Sequence, residues 1–329
     1  MKRKLWCGRS LLCIDVNILS EHTSPIEYTP LLHKLCLGRN IRIDVKRLDL
    51  LHPLVNGNKW FKLKYNVERA LASDHKTLVT FGGAWSNHIH ATAAAGGLCG
   101  VRTIGIIRGE EPKEYSNTLQ FAKEQGMELQ FVSRLDYEER NTEEFKAWLH
   151  DQYGSFHLVP EGGSNYYGVN GCMEILSESD LQNYTHVACA CGTGATLAGM
   201  MLSAKNNLQF IGFSAMKGGD FLHDEVIKHI EYFLMDRELA EEYREHFTID
   251  SEHHFGGYGK WNDELIAFIQ QIEKDHRIPL DQVYTGKALF GLLNQIETGL
   301  ITEGSNILFL HSGGLQGRQG CEPLSLLNP

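Results

Sequence analysis

Three short segments carry groups that could do chemistry. Residues 185–200 read THVACACGTGATLAGM: a run of β-branched and small apolar residues, a loop Cys191-Gly192-Thr193-Gly194-Ala195-Thr196, and a helix-like continuation. A glycine loop that opens a helix aims backbone N–H groups and the positive end of the helix dipole at an anion. Thr193 and Thr196 add hydroxyl donors, so the loop is a candidate phosphate cup. A dinucleotide fingerprint would want glycine where Leu197 stands and a carboxylate at the end of the next strand, where none occurs before Asp220. No Gly-Lys-Ser/Thr follows, so it is not a Walker loop. A single phosphate suits it better than a nicotinamide dinucleotide.

The second segment, Asn56-Gly57-Asn58-Lys59-Trp60-Phe61-Lys62-Leu63, puts Lys59 after a turn and at the start of an amphipathic helix. Positive charge opposes the helix dipole there. Lys59 is therefore either a solvated turn lysine or a desolvated amine of lowered pKa that forms a Schiff base with a carbonyl. The third segment, FGGAWSNHIHATAAAG at residues 81–96, runs from a strand end through a Gly-Gly turn into a helix of small residues. Ser86 and Asn87 offer hydroxyl, amide and backbone donors to a carboxylate, or form an ordinary helix N-cap. The flanks of Ser86 do not spell G-x-S-x-G, so a nucleophile elbow is set aside.

These groups need elements to hold them. Short apolar runs at residues 77–81, 101–107, 129–132, 186–190, 210–215 and 307–310 end in small or glycine residues. Helical spacing lies between them, as at residues 60–72 (Phe61, Leu63, Tyr65, Val67, Leu71) and 264–273 (Leu265, Phe268, Ile269, Ile272). Strands alternating with helices predict an α/β fold with mainly parallel sheet. Ligands of such sheets bind beyond the carboxyl ends of the strands. The glycine clusters at 82–83, 162–163, 192–194, 218–219 and 313–314 fall mostly there. They read as one ligand site built from several loops, or as tight turns. The polar stretch 235–254 reads as an exposed helix and loop.

Composition narrows the classes. The chain has 329 residues, 42% hydrophobic and 22% charged, as in ordinary globular domains. A formal net charge of −10 argues against nucleic acid as a partner. The start, MKRKLWCGRSLLCIDVNILS, is basic, but Asp15 and Asn17 break its apolar run before a signal peptide or membrane span forms. A soluble, cytoplasmic protein with no membrane partner is expected. The 8 cysteines contain no C-x-x-C pair and read as buried thiols. Among 16 histidines, His88 with His90, and His253 with His254, lack a third ligand at a recognisable spacing, so no metal is expected.

GNKWFKLKYN, FGGAWSNHIHATAAAG, PEGGSNYYGVNG, CGTGATLAG, VYTGKALFGL and LHSGGLQG occur in this order across residues 57–317. Together they resemble the pyridoxal-phosphate-dependent, fold-type-II family of 1-aminocyclopropane-1-carboxylate deaminase and D-cysteine desulfhydrase. The resemblance implies two open, mainly parallel sheets with flanking helices, as in the tryptophan synthase β subunit. It implies a large cofactor-binding domain (residues 1–61 and 164–329), a small domain (residues 62–163), and a homodimer. Lys59 is similar to the lysine that holds pyridoxal 5'-phosphate and later moves the substrate proton. Ser86 resembles the serine beside the substrate, which serves the deaminase branch as nucleophile or substrate-contacting hydroxyl and so implies a catalytic role, and Asn87 the asparagine on the cofactor's phenolic oxygen. Ser86, Asn87 and His88 resemble the substrate-carboxylate loop. Gly192, Thr193, Gly194, Ala195 and Thr196 resemble the phosphate cup. Tyr284 resembles the tyrosine near ring and substrate, and Ser312 the hydroxyl residue near the pyridine nitrogen.

The implied activity converts a small amino acid to a 2-oxo acid and ammonia, with sulfide from cysteine. The cofactor acts as electron sink, and the displaced Lys59 amine does acid/base work. His88 and Thr285 stand where the deaminase branch usually has Gln and Glu, and with Gly162-Gly163-Ser164-Asn165 they resemble the desulfhydrase side. Trp85 stands where both branches usually have Gln, and His90 where Arg is common. The alternatives are a serine/threonine dehydratase-like or β-replacing enzyme of the same fold, or a catalytically silent binder of the cofactor.

Overall fold

The computed structural model describes residues 19–20, 23–204 and 208–325. Residues 1–18 of the opening segment on which the leader and span readings rest, with Cys7 and Cys13, lie outside them. Among the described residues no helix is long and apolar enough to cross a membrane.

Among the described residues, ten strands form two sheets. They are β1 (Glu27–Pro30), β2 (Arg42–Arg47), β3 (Thr77–Gly82), β4 (Arg102–Arg108), β5 (Glu128–Val132), β6 (His157–Val159), β7 (His186–Cys191), β8 (Gln209–Ser214), β9 (Phe247–Asp250) and β10 (Asn306–His311). The larger sheet has the order β1-β2-β10-β7-β8-β9 and the smaller β5-β4-β3-β6. Only β1 against β2 is antiparallel. Parallel strands need helical crossovers that cover both faces. The inner strands are accordingly apolar on both sides: every residue of β3, and all of β10 after Asn306, is buried.

The largely buried helix Ala195–Ala204 closes one face of the larger sheet around Val187, Cys189, Leu308 and Leu310, and the lysine-bearing helix Asn58–Leu71 joins the same cluster through the helix Tyr166–Cys172. Helices Asp263–His276 and Thr285–Glu297 close the other face around Ile43, Val45, Phe309 and Phe213. Cys36, Cys99, Cys172, Cys189, Cys191 and Cys321 are buried free thiols within this packing.

Four strands, β1, β2, β6 and β9, lie where the apolar pattern did not mark them, and β2 and β9 show why. β2 is RIDVKR, and only Ile43 and Val45 are apolar. Its charges are buried through partners: Lys46 Nζ donates to Tyr28 Oη at 2.9 Å and pairs with Asp180, while Arg47 Nε donates to Asp49 Oδ1 at 2.8 Å. Burial of charge is tolerated when it is paired in this way. β9 corrects the helix-and-loop reading of the stretch 235–254. The segment does contain a short helix, Arg237–Glu241, but Phe247 and Ile249 then pair parallel with β8 as an edge strand too short to show alternation.

Candidate active site

All five glycine clusters follow strands: β3, β6, β7, β8 and β10. Gly83, Gly162, Gly192 and Gly194 line a cavity of about 820 Å³, and so do Lys59, Ser86, Asn87, His88, Thr193, Thr196, Tyr284 and Ser312. Residues separated by as much as 250 positions thus share one wall. Of the cup residues, Ala195 is buried in the first turn of its helix behind the lining.

Lys59 owes its place to a backbone contact. Gly57, the N-cap of its helix, has φ +66, and a Cβ there would stand 1.9 Å from Ser312 O, so the position admits only glycine. Asn58 N donates to the same carbonyl at 3.2 Å. The helix therefore starts against the end of β10, with Lys59 in its first turn. Lys59 Nζ donates to Asn58 Oδ1 at 3.0 Å, and Asn58 Nδ2 donates to Thr196 Oγ1 at 2.9 Å, which links amine to cup. Burial and, second, the nearby Lys62 lower the Lys59 amine to about 7. It is a nucleophilic amine at neutral pH.

The cup sits between β7 and the helix Ala195–Ala204. The hydroxyl of Thr193 is buried without a hydrogen-bond partner among the described residues. His229 Nε2 donates to Thr193 O at 2.9 Å and holds the loop from behind. Lys62, one helical turn after Lys59, donates to Gly162 O at 3.0 Å, and its amine is lowered by burial. An unpartnered buried hydroxyl, a helix N-terminus and a second lysine are the donor set a phosphate monoester requires.

On the smaller sheet, Ser86 caps the helix Asn87–Cys99. Its Oγ accepts from the N–H groups of His88 at 3.2 Å and Ile89 at 3.3 Å, which leaves the hydroxyl proton to donate. Capping and cavity roles are thus compatible. Ser86 N already donates to Gly83 O and His88 N to Ser86 Oγ. Asn87 N–H is then the backbone donor of the triplet that neither bond uses. The Asn87 carbonyl oxygen accepts from Gln316, so what its side chain has to offer is the NH2. His88 is 2% exposed. The Thr80 hydroxyl spends its proton on Val159 O, so it accepts from His88 Nε2 at 2.8 Å. That fixes a neutral tautomer with a bare Nδ1, and burial holds the ring well below the usual imidazole range.

Tyr284 is set by Asp281, whose carboxylate accepts from the N–H groups of Val283, Tyr284 and Thr285 at 2.8–2.9 Å. Its ring lies over Gly192, where a Cβ would be 3.4 Å from Tyr284 Cε1. Burial raises its hydroxyl well above the ordinary range, and the Tyr258 ring meets its ring edge-on with centroids 6.0 Å apart.

Lys62, Tyr258 and His229 are lining residues that the motifs did not single out. The i, i+3 spacing from Lys59 could have found Lys62. Nothing local marks the other two. Arg108 paired with Glu138 at 2.8 Å and Arg140 with Glu161 at 3.2 Å also line the cavity. The two departures from the family pattern lie outside the lining. Trp85 lays its ring against Gly320, and His90 stacks on Phe121 with centroids 4.0 Å apart.

A family model described as "Pyridoxal-phosphate dependent enzyme" matches residues 22–313. The chain belongs to this family. This pyridoxal-phosphate-dependent enzyme is 27% identical over 325 residues to the bifunctional D-cysteine desulfhydrase/1-aminocyclopropane-1-carboxylate deaminase of Arabidopsis thaliana, covering 91% of the chain and 80% of the relative. It is 28% identical over 291 residues to the D-cysteine desulfhydrase of Yersinia enterocolitica, covering 84% and 87%. A crystal structure of an ACC deaminase homologue superposes with a TM-score of 0.74 at 26% identity, over 96% of this chain and all of that one. The fold is the type-II fold of these enzymes, with two mostly parallel sheets. Pyridoxal phosphate is the family's cofactor, and the amine at Lys59 and the donor set at the cup fit its aldehyde and its phosphate.

Proposed function

We propose that this enzyme is a lyase of the 1-aminocyclopropane-1-carboxylate deaminase/D-cysteine desulfhydrase type. It takes a small amino acid, D-cysteine first, to a 2-oxo acid and ammonia, with sulfide from cysteine. One observation carries the reading: a single cavity gathers an amine lowered to about 7, a serine with a spare proton, a tyrosine pair and a cup for one phosphate.

Lys59, Asn87, Ser312 and residues 192–196 would hold the cofactor, with Lys62 beside the cup. When bound, the cofactor supplies an electron sink for the pair left on the substrate's α-carbon. The chain's own groups do the rest. Lys59, neutral near pH 7, takes and returns a proton at its Nζ, the best match of a base to its working pH. Asn87 N–H and the Ser86 hydroxyl bind the substrate carboxylate, and the neutral His88 orients that loop without adding charge. Tyr284 keeps its proton in this environment and donates it to the departing group or to the carbon left behind.

The resemblance and the relatives' names support this reading, and the His88 and Thr285 positions favour the desulfhydrase branch. The resemblance extends to a homodimer. It extends also to a division into residues 1–61 with 164–329 and residues 62–163, with the smaller part closing on the substrate.

The test is a panel of D- and L-cysteine, D- and L-serine, L-threonine and 1-aminocyclopropane-1-carboxylate, with 2-oxo acid, sulfide and ammonia measured. D-cysteine is expected to give all three, with no turnover in Lys59→Ala. A cofactor-loaded protein that releases no 2-oxo acid from any of them is a silent binder. Turnover confined to L-serine and L-threonine makes it a dehydratase.

A further inference from the structure

Lys287 belongs to none of the groups the chemistry uses. It sits in the helix Thr285–Glu297, three residues after Tyr284, and is 1% exposed. A buried lysine head is costly unless its donors are spent. Here Nζ donates to two backbone carbonyls, His254 O and Gly257 O, both at 2.8 Å.

Those carbonyls bracket an irregular loop. Phe255, Gly256, Gly257 and Gly259 have φ of 51, 92, 115 and 68. The three glycines reach these angles freely, but Phe255 holds its angle only where its surroundings over-determine it. From within, Gly257 N donates to His254 O and Lys260 N to Gly257 O, each at 3.0 Å. From outside, Lys287 takes hold of the same two carbonyls. The residue after Gly257 is Tyr258, which lines the cavity and packs edge-on against the Tyr284 ring with centroids 6.0 Å apart. Asp281 fixes the backbone of Tyr284 from one side of the helix start, and Lys287 reaches the Tyr258 loop from the other.

We propose that Lys287 is a positioning residue: its two bonds to the carbonyls of His254 and Gly257 hold Tyr258 against Tyr284 at the wall of the cavity. The consequence for turnover rests on the cavity being the amino-acid site proposed above; the placement of the loop does not.

The experiment compares the holoenzyme with Lys287→Met, in the native background and in Tyr258→Ala. Amide exchange across residues 254–260 is expected to rise roughly tenfold or more, with the cofactor's absorbance unchanged. With the best substrate of the panel, kcat/KM is expected to fall about tenfold in the native background and less than about twofold in Tyr258→Ala, because both substitutions remove one device. Unchanged exchange in 254–260, or equal losses in the two backgrounds, overturns the proposal. Should Lys287→Met not fold, Lys287→Ala is assayed with ethylammonium and with tetramethylammonium. Recovery by ethylammonium alone, which has N–H donors for the two carbonyls, supports the proposal, and recovery by neither overturns it. The exchange measurement needs no turnover. A protein inactive on the whole panel but with a loosened loop would defeat the proposed activity and leave the role of Lys287 standing.

Discussion

Lys59 trades stability for reactivity. An ordinary lysine amine titrates near 10.4, whereas burial and Lys62 bring this one to about 7. Two outcomes follow from the sign of that shift. Cofactor-free protein should capture pyridoxal phosphate at a rate that rises with pH and levels off a little above 7. A capture rate still climbing steeply at pH 9 would mean an unshifted amine. Between about 7 and 10 the unfolded chain holds the proton that the folded chain has released, so stability rises with pH across this window and the penalty is complete below it. Lys59→Met should therefore stabilise the cofactor-free protein by about 1–3 kcal/mol at pH 6 and by almost nothing at pH 10, read from urea midpoints. The lysine was legible in the sequence because a positive residue at a helix start after Asn-Gly-Asn needs a reason. Tyr258 and His229 were not, because each reaches the cavity from a loop or helix whose own residues carry no sign of it.

At the scale of elements, the sequence marked those that bury both faces and obscured those that bury charge. β3, β4, β7, β8 and β10 lie within one or two residues of the apolar runs. β2 hides behind Lys46 and Arg47, whose acidic partners are distant or lie outside the strand. The third segment gave a helix start at Ser86, and the fold makes it cap and cavity group together. What no local pattern could convey is how closely elements meet. The lysine helix and β10 touch through Gly57 and Ser312 with no room for a methyl group. Gly57→Ala should cost about 3 kcal/mol or more, since both the positive φ and the contact oppose it. Denaturation should show this together with weakened cofactor binding. A loss below about 1 kcal/mol would mean that the helix start can shift without harm.

At the scale of the whole molecule, two sheets present their strand ends to one cavity, and bonds cross between them. Gln316, past the end of the larger sheet, donates to Asn87 on the smaller one, and Asn117 donates to Gln319 at 2.7 Å. The Trp85 ring against Gly320 belongs to the same seam. Trp85, which stands where the family usually has glutamine, is thus a contact between loops of the two sheets and lies outside the cavity lining.

The last of the described strands is also the middle of the larger sheet. β10 lies between β2, from residues 42–47, and β7, from residues 186–191. A growing chain therefore carries Lys59 and the phosphate cup out of the ribosome long before the strand that joins them exists, and contacts of such long separation form late. Until residue 312 emerges, the lysine helix has no carbonyl to start against. Chains ended at residue 304 should stay soluble only with chaperones and should capture no pyridoxal phosphate, whereas chains ended at residue 325 should capture it fully. Cofactor loading would then report that synthesis has passed β10, and a chain halted before it would carry no reactive aldehyde chemistry.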